Sequence, residues 1–289
     1  MNEINNYKSM VGNAINNFPH TMRAGRCLTS MSLKNQLTTT FGRDKEIKDI
    51  RQILCRRTKR NPLLIGDAGV GKTAIVEELS ATVWKDDIEN EDSIRKPTLI
   101  FEISVSALMS GTKYRGDLEG KLQNILEEIM SYKKAIVFID EIHLITRIGA
   151  AEGATSVGQL LKPVLSRGDI ALIGATTTEE AKIIMEDKAL MRRFSPVYIK
   201  ELQGEAAISC LNSILKDYSK YFKIKINSDI NAECLYDLVE KTNTTRPFPD
   251  NVIDVIDEAM AIAKFNKDSE IKMSDLKSAL SRQTGYIII

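Results

Sequence analysis

The chain has 289 residues, 43% of them hydrophobic, which is enough for one large domain and a smaller one. Forty basic residues against thirty-nine acidic ones leave a formal charge of +1, so the overall charge indicates neither nucleic acid nor an anionic membrane as a partner. The four cysteines lie far apart and include no Cys-x-x-Cys pair, which argues against a disulfide framework and a zinc site. The composition is that of a soluble globular protein, and we expect a reducing, cytoplasmic compartment.

Residues 1–37 form the first segment of the predicted organisation, an N-terminal extension rich in Asn, Met and Ser. Its apolar runs are too short for a secretion signal or a membrane span. It contains several basic residues and a single acidic one, Glu3, a charge balance that would also suit a transit peptide or a docking arm. The simplest interpretation is a loosely packed extension.

A helix is predicted next, with Asp44 as its N-cap and an apolar face formed by Ile47, Ile50, Ile53 and Leu54. The basic run 56–60 at its end could contact phosphate, but the favoured interpretation is that it complements the helix dipole. A short buried strand, Leu63 to Ile65, then leads into the next motif.

Residues Gly66 to Thr73 match the phosphate-binding loop G-x-x-x-x-G-K-T at every fixed position, and we call them the phosphate-binding loop. The loop follows a predicted strand and opens a predicted helix, which is the context that the motif requires. Its glycines allow backbone N–H groups to approach phosphate oxygens. Lys72 is expected to reach the β and γ phosphates, and the Thr73 hydroxyl is expected to ligate Mg²⁺. The motif therefore predicts a nucleoside triphosphate site.

Four further strands alternate with helical segments, which predicts a five-stranded parallel α/β sheet with helices on both faces and a ligand at the carboxyl ends of the strands. These strands are predicted at 98–103, 135–139, 170–173 and 196–199. After Gly204 the pattern changes to four successive helices, which predicts a small all-α domain. We therefore expect a large domain at 38–202 and a small helical domain at 203–289.

Two acids, Asp140 and Glu141, follow the third predicted strand. Opposite a phosphate-binding loop, Asp140 can organise Mg²⁺ and Glu141 can polarise the attacking water. Thr176 and Thr177 end the fourth strand, where a hydroxyl can sense the nucleotide. His143 is interpreted as a structural histidine, because no cluster of metal ligands accompanies it.

Arg192 and Arg193 follow a predicted helix and precede the fifth strand. Arginine stabilises transferred phosphate through fork-like contacts and is often supplied by a neighbouring subunit. The alternative interpretation is a pair of solvated surface arginines.

The chain resembles the first ATPase module of the Clp family of AAA+ protein unfoldases over most of its length, from about Leu37 to Gly285. The resemblance rests on several ordered blocks: Phe41-Gly-Arg-Asp, Arg56-Arg-Thr-Lys, Gly66 to Thr73, Gly111-Thr-Lys-Tyr-Arg-Gly-Asp, Phe138-Ile-Asp-Glu-Ile-His, Leu161-Lys-Pro, Gly174-Ala-Thr-Thr, Ala189-Leu-Met-Arg-Arg-Phe and Pro249-Asp-Asn-Val-Ile-Asp-Val-Ile-Asp-Glu-Ala.

The resemblance assigns a role to each matching position. It implies that Lys72 and Thr73 are Walker A ligands, Asp140 and Glu141 the Walker B pair, and Thr177, with Thr176 as the alternative, sensor 1. It also implies that Arg192 and Arg193 are arginine fingers acting on a neighbouring subunit, and that Phe41, Gly42 and Ile253 wall the adenine pocket. The predicted nucleotide-binding positions are Phe41, Gly42, Asp67, Ala68, Gly69, Val70, Gly71, Lys72, Thr73, Ala74 and Ile253, with Thr73 and Asp140 serving Mg²⁺.

Two loops resemble those that line the axial pore of Clp rings. Lys113, Tyr114 and Arg115 match the first, with Tyr114 as its aromatic residue. The stretch from Gly149 to Gly158 resembles the second, with fewer charges than usual. The resemblance thus implies a ring, commonly of six subunits, that grips a polypeptide.

Two-module relatives carry an adaptor-binding domain, a coiled-coil insertion and a second ATPase module with a peptidase-docking loop, and none of these is recognised in this sequence. Docking to a Clp peptidase is therefore not carried over from the resemblance.

The function predicted is an ATP- and Mg²⁺-dependent ring module that unfolds or remodels polypeptides. A regulatory subunit that enters rings of a full-length Clp relative is the alternative. A nucleic-acid motor built on the same ATPase fold is disfavoured by Tyr114 and by the nearly neutral net charge.

Overall fold

The computed structural model describes residues 2–37, 40–89, 96–112, 115–147, 158–242 and 246–285. They form two compact units, each with its own hydrophobic core. Unit 1 takes its residues from Met1–Thr39, Lys45–Gly66 and Lys72–Ile199, and unit 2 from Thr40–Asp44, Asp67–Gly71 and Lys200–Ile289.

Unit 1 alternates strands and helices along the chain. Its elements are α1 (Asn2–Ile15), α2 (Pro19–Ala24), β1 (Gly25–Cys27), α3 (Leu28–Leu33), α4 (Asp44–Leu54), β2 (Asn61–Ile65), α5 (Lys72–Glu89), β3 (Leu99–Ile103), α6 (Val105–Met109), α7 (Arg115–Ser131), β4 (Ala135–Ile139), α8 (Ile142–Arg147), α9 (Gly158–Arg167), β5 (Ala171–Thr176), α10 (Ala181–Glu186), α11 (Lys188–Met191) and β6 (Phe194–Tyr198).

The sheet of unit 1 has the strand order β1-β3-β4-β5-β2-β6. The five predicted strands are present and pair in parallel, which confirms the predicted α/β architecture. The sixth strand, β1, was not predicted; it pairs antiparallel with β3 at the edge of the sheet. In the register, Ile65 lies beside Thr176 and Ile139 beside Gly174, so the residues after β2, β4 and β5 meet at one edge.

The N-terminal residues pack against this sheet, so the expectation of a loosely packed extension is wrong. Tyr7 and Phe18 are fully buried. The Phe18 ring centroid lies 4.5 Å from that of Phe101 in β3 and 5.6 Å from that of Tyr132. These contacts join residues more than 80 positions apart, so no local pattern in residues 1–37 could have indicated them.

Buried and partly buried polar contacts fix the segment in place. The Tyr7 hydroxyl donates to Asp87 in α5 at 2.7 Å, and the same carboxylate accepts the N–H of Thr98 at 2.6 Å. Burial, and then the hydrogen bond to Asp87, raise the pKa of Tyr7, so this hydroxyl remains a donor at physiological pH. Arg26 in β1 pairs with Glu77 at 2.8 Å and with Glu102 at 2.6 Å.

Helix α2 is capped from a distance. Glu128 in α7 accepts the N–H groups of His20 and Thr21, each at 2.8 Å, and the Thr21 hydroxyl at 2.7 Å. A carboxylate at this end satisfies free amides and opposes the positive end of the helix dipole. The contact ties α2 to the helix that packs against β4.

Unit 2 is helical apart from one short pair of strands. Its elements are α12 (Gly204–Phe222), β7 (Lys225–Ile226), α13 (Ala232–Lys241), α14 (Asp250–Asn266), β8 (Glu270–Ile271) and α15 (Met273–Thr284). The four predicted helices are present. The parallel pair β7 and β8 was not predicted, because strands of two residues carry no periodicity.

Among the helices that the structure describes, none is both long and apolar enough to cross a lipid bilayer.

Phe18→Ala is expected to destabilise unit 1 by about 3–5 kcal/mol, because it empties a fully buried aromatic site beneath β3. Urea unfolding followed by the fluorescence of Trp84, the one tryptophan of the chain, measures the change. Ile4→Ala in α1 is the control, since Ile4 is 40% exposed, and it should change stability by less than about 0.5 kcal/mol. Equal small effects of both substitutions would contradict the packing described.

Candidate nucleotide-binding site

The phosphate-binding loop connects β2 to α5. Every residue of β2 is buried, and the N–H of Gly66 donates to the carbonyl of Thr176 in β5 at 3.3 Å, which extends the sheet by one contact. Gly69 and Gly71 have φ values of +85° and +89°. Side chains disfavour this left-handed region, so the loop needs glycine at both positions.

The tip of the loop belongs to unit 2, where it contacts the start of α14. A Cβ atom on Gly69 would lie 2.6 Å from the Cβ of Asp250, closer than such atoms approach. Gly69 is therefore required both by its backbone conformation and by its neighbour. The predicted binding residues Asp67 and Ala68 of this tip are exposed, whereas Val70 is buried.

Arg43, which precedes the loop in the chain, also contacts its tip. It is 3% exposed, and it donates to the carbonyl of Val70 and to that of Lys200, each at 2.8 Å. The prediction named Phe41 and Gly42 but not Arg43 as a site residue. The position of Arg43 inside the Phe41-Gly-Arg-Asp block is the sequence feature that could have indicated a role in the site.

The predicted adenine-wall residues all belong to unit 2. Phe41 is 37% exposed. Gly42 has φ +72° and lies against Ala206, whose Cβ would be 3.1 Å from a Cβ at position 42. Ile253, in α14, is half-buried. Their assignment to adenine remains a prediction.

Lys72, the first residue of α5, is buried to 9% exposure. Its Nζ donates to the carbonyl of Gly66 at 2.8 Å, across the base of the loop. The buried ammonium is thereby held beside Gly66, the residue at which the loop begins.

Thr73 and Asp140 meet at the carboxyl edge of the sheet. The Thr73 hydroxyl donates to Oδ2 of Asp140 at 2.6 Å, although 67 residues separate them. Within the described part of the chain no cluster of three or more His, Cys, Asp or Glu could hold a metal. One hydroxyl and one carboxylate nevertheless fit Mg²⁺, which takes its remaining ligands from phosphates and water.

Glu141 is exposed and has φ +51°, a left-handed conformation that is rare for a residue other than glycine. Its N–H donates to Oδ1 of Asp140 at 2.9 Å, and its carbonyl accepts the N–H of Leu144 at 2.9 Å. Strained backbone of this kind concentrates at functional sites.

The two sensor candidates have different surroundings. Thr176 is 1% exposed, and its hydroxyl lies 3.1 Å from Nδ1 of His143. Thr177 is half-buried, and its hydroxyl donates to Glu180 at 2.7 Å. His143 is 2% exposed and bonded through its ring, as expected of a structural histidine.

Two family models match consecutive parts of the chain. The model described as ATPase family associated with various cellular activities (AAA) matches residues 62–202, and that described as AAA lid domain matches residues 203–286. The chain belongs to the AAA family of ATPases. AAA membership implies nucleotide binding and indicates ATP hydrolysis.

Relatives and solved structures confirm the Clp-type resemblance of this AAA chain. It is 42% identical to the chaperone protein ClpB of Tropheryma whipplei over 85% of its own length and 34% of the relative's, and 40% identical to ClpB of Aquifex aeolicus over 84% and 24%. The Saccharomyces cerevisiae Hsp104:casein complex superposes with a TM-score of 0.79 at 30% identity, covering 92% of this chain and 45% of that one. The chain thus spans about a third or less of the length of these ClpB relatives.

Arg192 and Arg193 of the AAA domain lie between α11 and β6, as predicted. Arg192 is exposed and Arg193 is half-buried. Neither guanidinium pairs with any side chain in the parts of the protein that the structure describes. The Arg192 side chain is therefore open to solvent, and its role as an arginine finger remains a prediction.

The pore-loop predictions lie largely outside the described residues. This applies to Lys113, to Tyr114 and to the side chain of Arg115, and to nearly all of the Gly149 to Gly158 stretch. The base of the first loop is described: Lys121 donates to the carbonyl of Ser110 at 2.5 Å.

Lys72→Ala is expected to lower nucleotide affinity by about 100-fold or more, because a charge-assisted phosphate contact contributes about 3 kcal/mol. Titration with a fluorescent nucleotide measures the change. Lys85→Ala, in the same helix and exposed, should bind as wild type does. Normal affinity in Lys72→Ala, with the protein folded by circular dichroism, would remove Lys72 from the site.

Proposed function

We propose that the chain hydrolyses ATP as part of a ring of subunits, commonly six, and uses the reaction to unfold or remodel polypeptides. The hydrogen bond between Thr73 and Asp140 carries the proposal, because it joins the phosphate-binding loop to the acidic pair that hydrolysis requires. ClpB and Hsp104 relatives support the polypeptide part of the proposal.

The binding half of the reaction belongs to the loop and α5. Loop N–H groups and Lys72 bind the phosphates of ATP, and Thr73 and Asp140 would hold Mg²⁺, which would neutralise phosphate charge. Phe41, Gly42 and Ile253 contact the adenine, and the loop residues Asp67 to Gly71 with Ala74 complete the nucleotide contacts. Each of these residues acts through position and charge rather than through covalent chemistry.

The chemical half belongs to Glu141. It takes a proton from water as the water oxygen attacks the γ-phosphorus, and the bond from that phosphorus to the β–γ bridging oxygen breaks. ADP leaves with the bridging oxygen, and phosphate is the second product. Thr177, with Thr176 as the alternative, senses the bound nucleotide. Arg192 and Arg193 stabilise the transferred phosphoryl group in the neighbouring subunit.

The polypeptide is gripped by Lys113, Tyr114 and Arg115 in the axial pore. A tyrosine flanked by charged residues combines an apolar surface with solvation of the loop tip, which suits a substrate held without sequence preference. We propose a cytoplasmic location for this activity, as for a soluble chaperone module.

The arginine assignment is tested by mixing two inactive variants. Glu141→Gln should bind ATP without hydrolysing it, and the double variant Arg192→Ala, Arg193→Ala should lose about 10³-fold in turnover. In mixed rings, an intact arginine pair meets an intact Glu141 at some boundaries, so phosphate release should partly recover. Glu186→Gln, an exposed acid elsewhere in unit 1, controls for loss of charge. No recovery in rings shown by native mass spectrometry to be mixed would assign the arginines to their own subunit.

The translocation assignment is tested at Tyr114. Tyr114→Ala should keep ATP turnover and assembly within about twofold of wild type and lower the unfolding rate of a tagged fluorescent protein by at least about tenfold, whereas Tyr114→Phe should retain most of that rate. Unfolding by Tyr114→Ala at the wild-type rate would exclude the pore-loop role. Failure of wild type to unfold any substrate alone, with recovery of activity in rings of a full-length Clp relative, would favour the regulatory subunit.

A further inference from the structure

One hydrogen-bonded chain of side chains connects α8 to the end of β5. Thr176 contacts Nδ1 of His143 at 3.1 Å, Nε2 of His143 lies 3.1 Å from Oε1 of Glu180, and Oε2 of Glu180 accepts the Thr177 hydroxyl at 2.7 Å. Glu180 thus uses one carboxylate oxygen for the histidine and the other for the predicted sensor threonine. All four residues belong to unit 1.

The two oxygens of Glu180 indicate where two protons of this chain lie. An ionised carboxylate only accepts hydrogen bonds, so Nε2 of His143 carries a proton and the Thr177 hydroxyl points its proton at Glu180. The buried position of His143, 2% exposed, keeps the ring fixed.

Among the contacts of the described residues, the oxygen of Thr177 keeps one acceptor position. A hydroxyl offers one donor and two acceptor sites. Its donor goes to Glu180, and one lone pair accepts the N–H of Glu180 at 3.2 Å. The remaining lone pair can accept an O–H of water, but Thr177 has no proton to donate to a phosphate oxygen.

We propose that Glu180, anchored by His143, is a positioning residue that presents the Thr177 oxygen as an acceptor for the attacking water. The inference rests on the proposed ATPase function and refines it, since it gives Glu180 and His143 a role in orienting the Thr177 hydroxyl. Glu180 needs the anchor because its side chain is 36% exposed and would otherwise sample several rotamers.

The kinetic consequence separates turnover from binding. Glu180→Ala frees the Thr177 proton and its rotamer, so kcat for ATP should fall about 10–100-fold while KM stays within about twofold. Glu180→Gln keeps an amide oxygen for Thr177 and should restore most of kcat. Glu179→Ala removes the adjacent exposed acid and should keep both parameters near wild type. A rise in KM with unchanged kcat in Glu180→Ala would overturn the proposal.

A double-substitution cycle tests whether Glu180 acts through Thr177. Thr177→Val removes the hydroxyl and keeps the side-chain shape. If Glu180 acts through that hydroxyl, adding Glu180→Ala to Thr177→Val should lower kcat by less than about twofold further. Multiplicative losses in the double variant would show that Glu180 acts elsewhere and would overturn the assignment.

The anchor has a readout that does not depend on turnover. The chain contains two histidines, so ¹⁵N spectra of the imidazoles are simple, and His20→Asn assigns the exposed one. His143 should show a proton on Nε2 that exchanges slowly in wild type and quickly in Glu180→Ala. A bare Nε2 in wild type would overturn the proposal. A wild type that hydrolyses no ATP would instead overturn the proposed function, whichever ring proton is observed.

Discussion

The hydrogen bond between Thr73 and Asp140 depends on the order of strands in the sheet. Thr73 follows β2 and Asp140 follows β4, and β5 lies between these two strands. Both residues stand at the carboxyl edge because the three strands are parallel, and the intervening strand supplies the carbonyl of Thr176 to Gly66. A change in the register of β5 would move Gly66 and Asp140 relative to each other. Correct pairing of these strands is therefore required to bring the side chains of the candidate site together.

Backbone strain marks the same edge. Left-handed φ at Glu141 costs on the order of 1 kcal/mol for a residue with a Cβ. The conformation persists because Asp140 accepts the N–H of Glu141 and α8 begins immediately afterwards. The carboxylate of Glu141 consequently projects from a fixed turn, between a strand that is buried along its length and a helix. A fixed origin of this kind limits the directions in which the Glu141 carboxylate can point.

The N-terminal segment completes the far edge of the sheet. Gly25 runs so close to β3 that a Cβ would lie 1.8 Å from the carbonyl oxygen of Glu102, so only glycine fits there. Arg26 then pairs with Glu102 and Glu77, and Phe18 covers Phe101. An exposed strand edge favours unwanted pairing, and β1 with α2 and α3 protects the edge of β3. The segment therefore stabilises the domain that carries the site.

Local patterns determined much of this protein. The phosphate-binding loop, the Asp140-Glu141 pair, the five parallel strands and the four helices of unit 2 could be predicted because each depends on spacing within a few residues. Tertiary structure alone decided the partners of Arg43, which lie 27 and 157 residues away, and the different surroundings of Thr176 and Thr177. It also decided the burial of Tyr7 and Phe18. Hydrogen bonds and packing between distant residues depend on how the helices and strands pack together. A local sequence pattern does not indicate which distant residues become neighbours on folding.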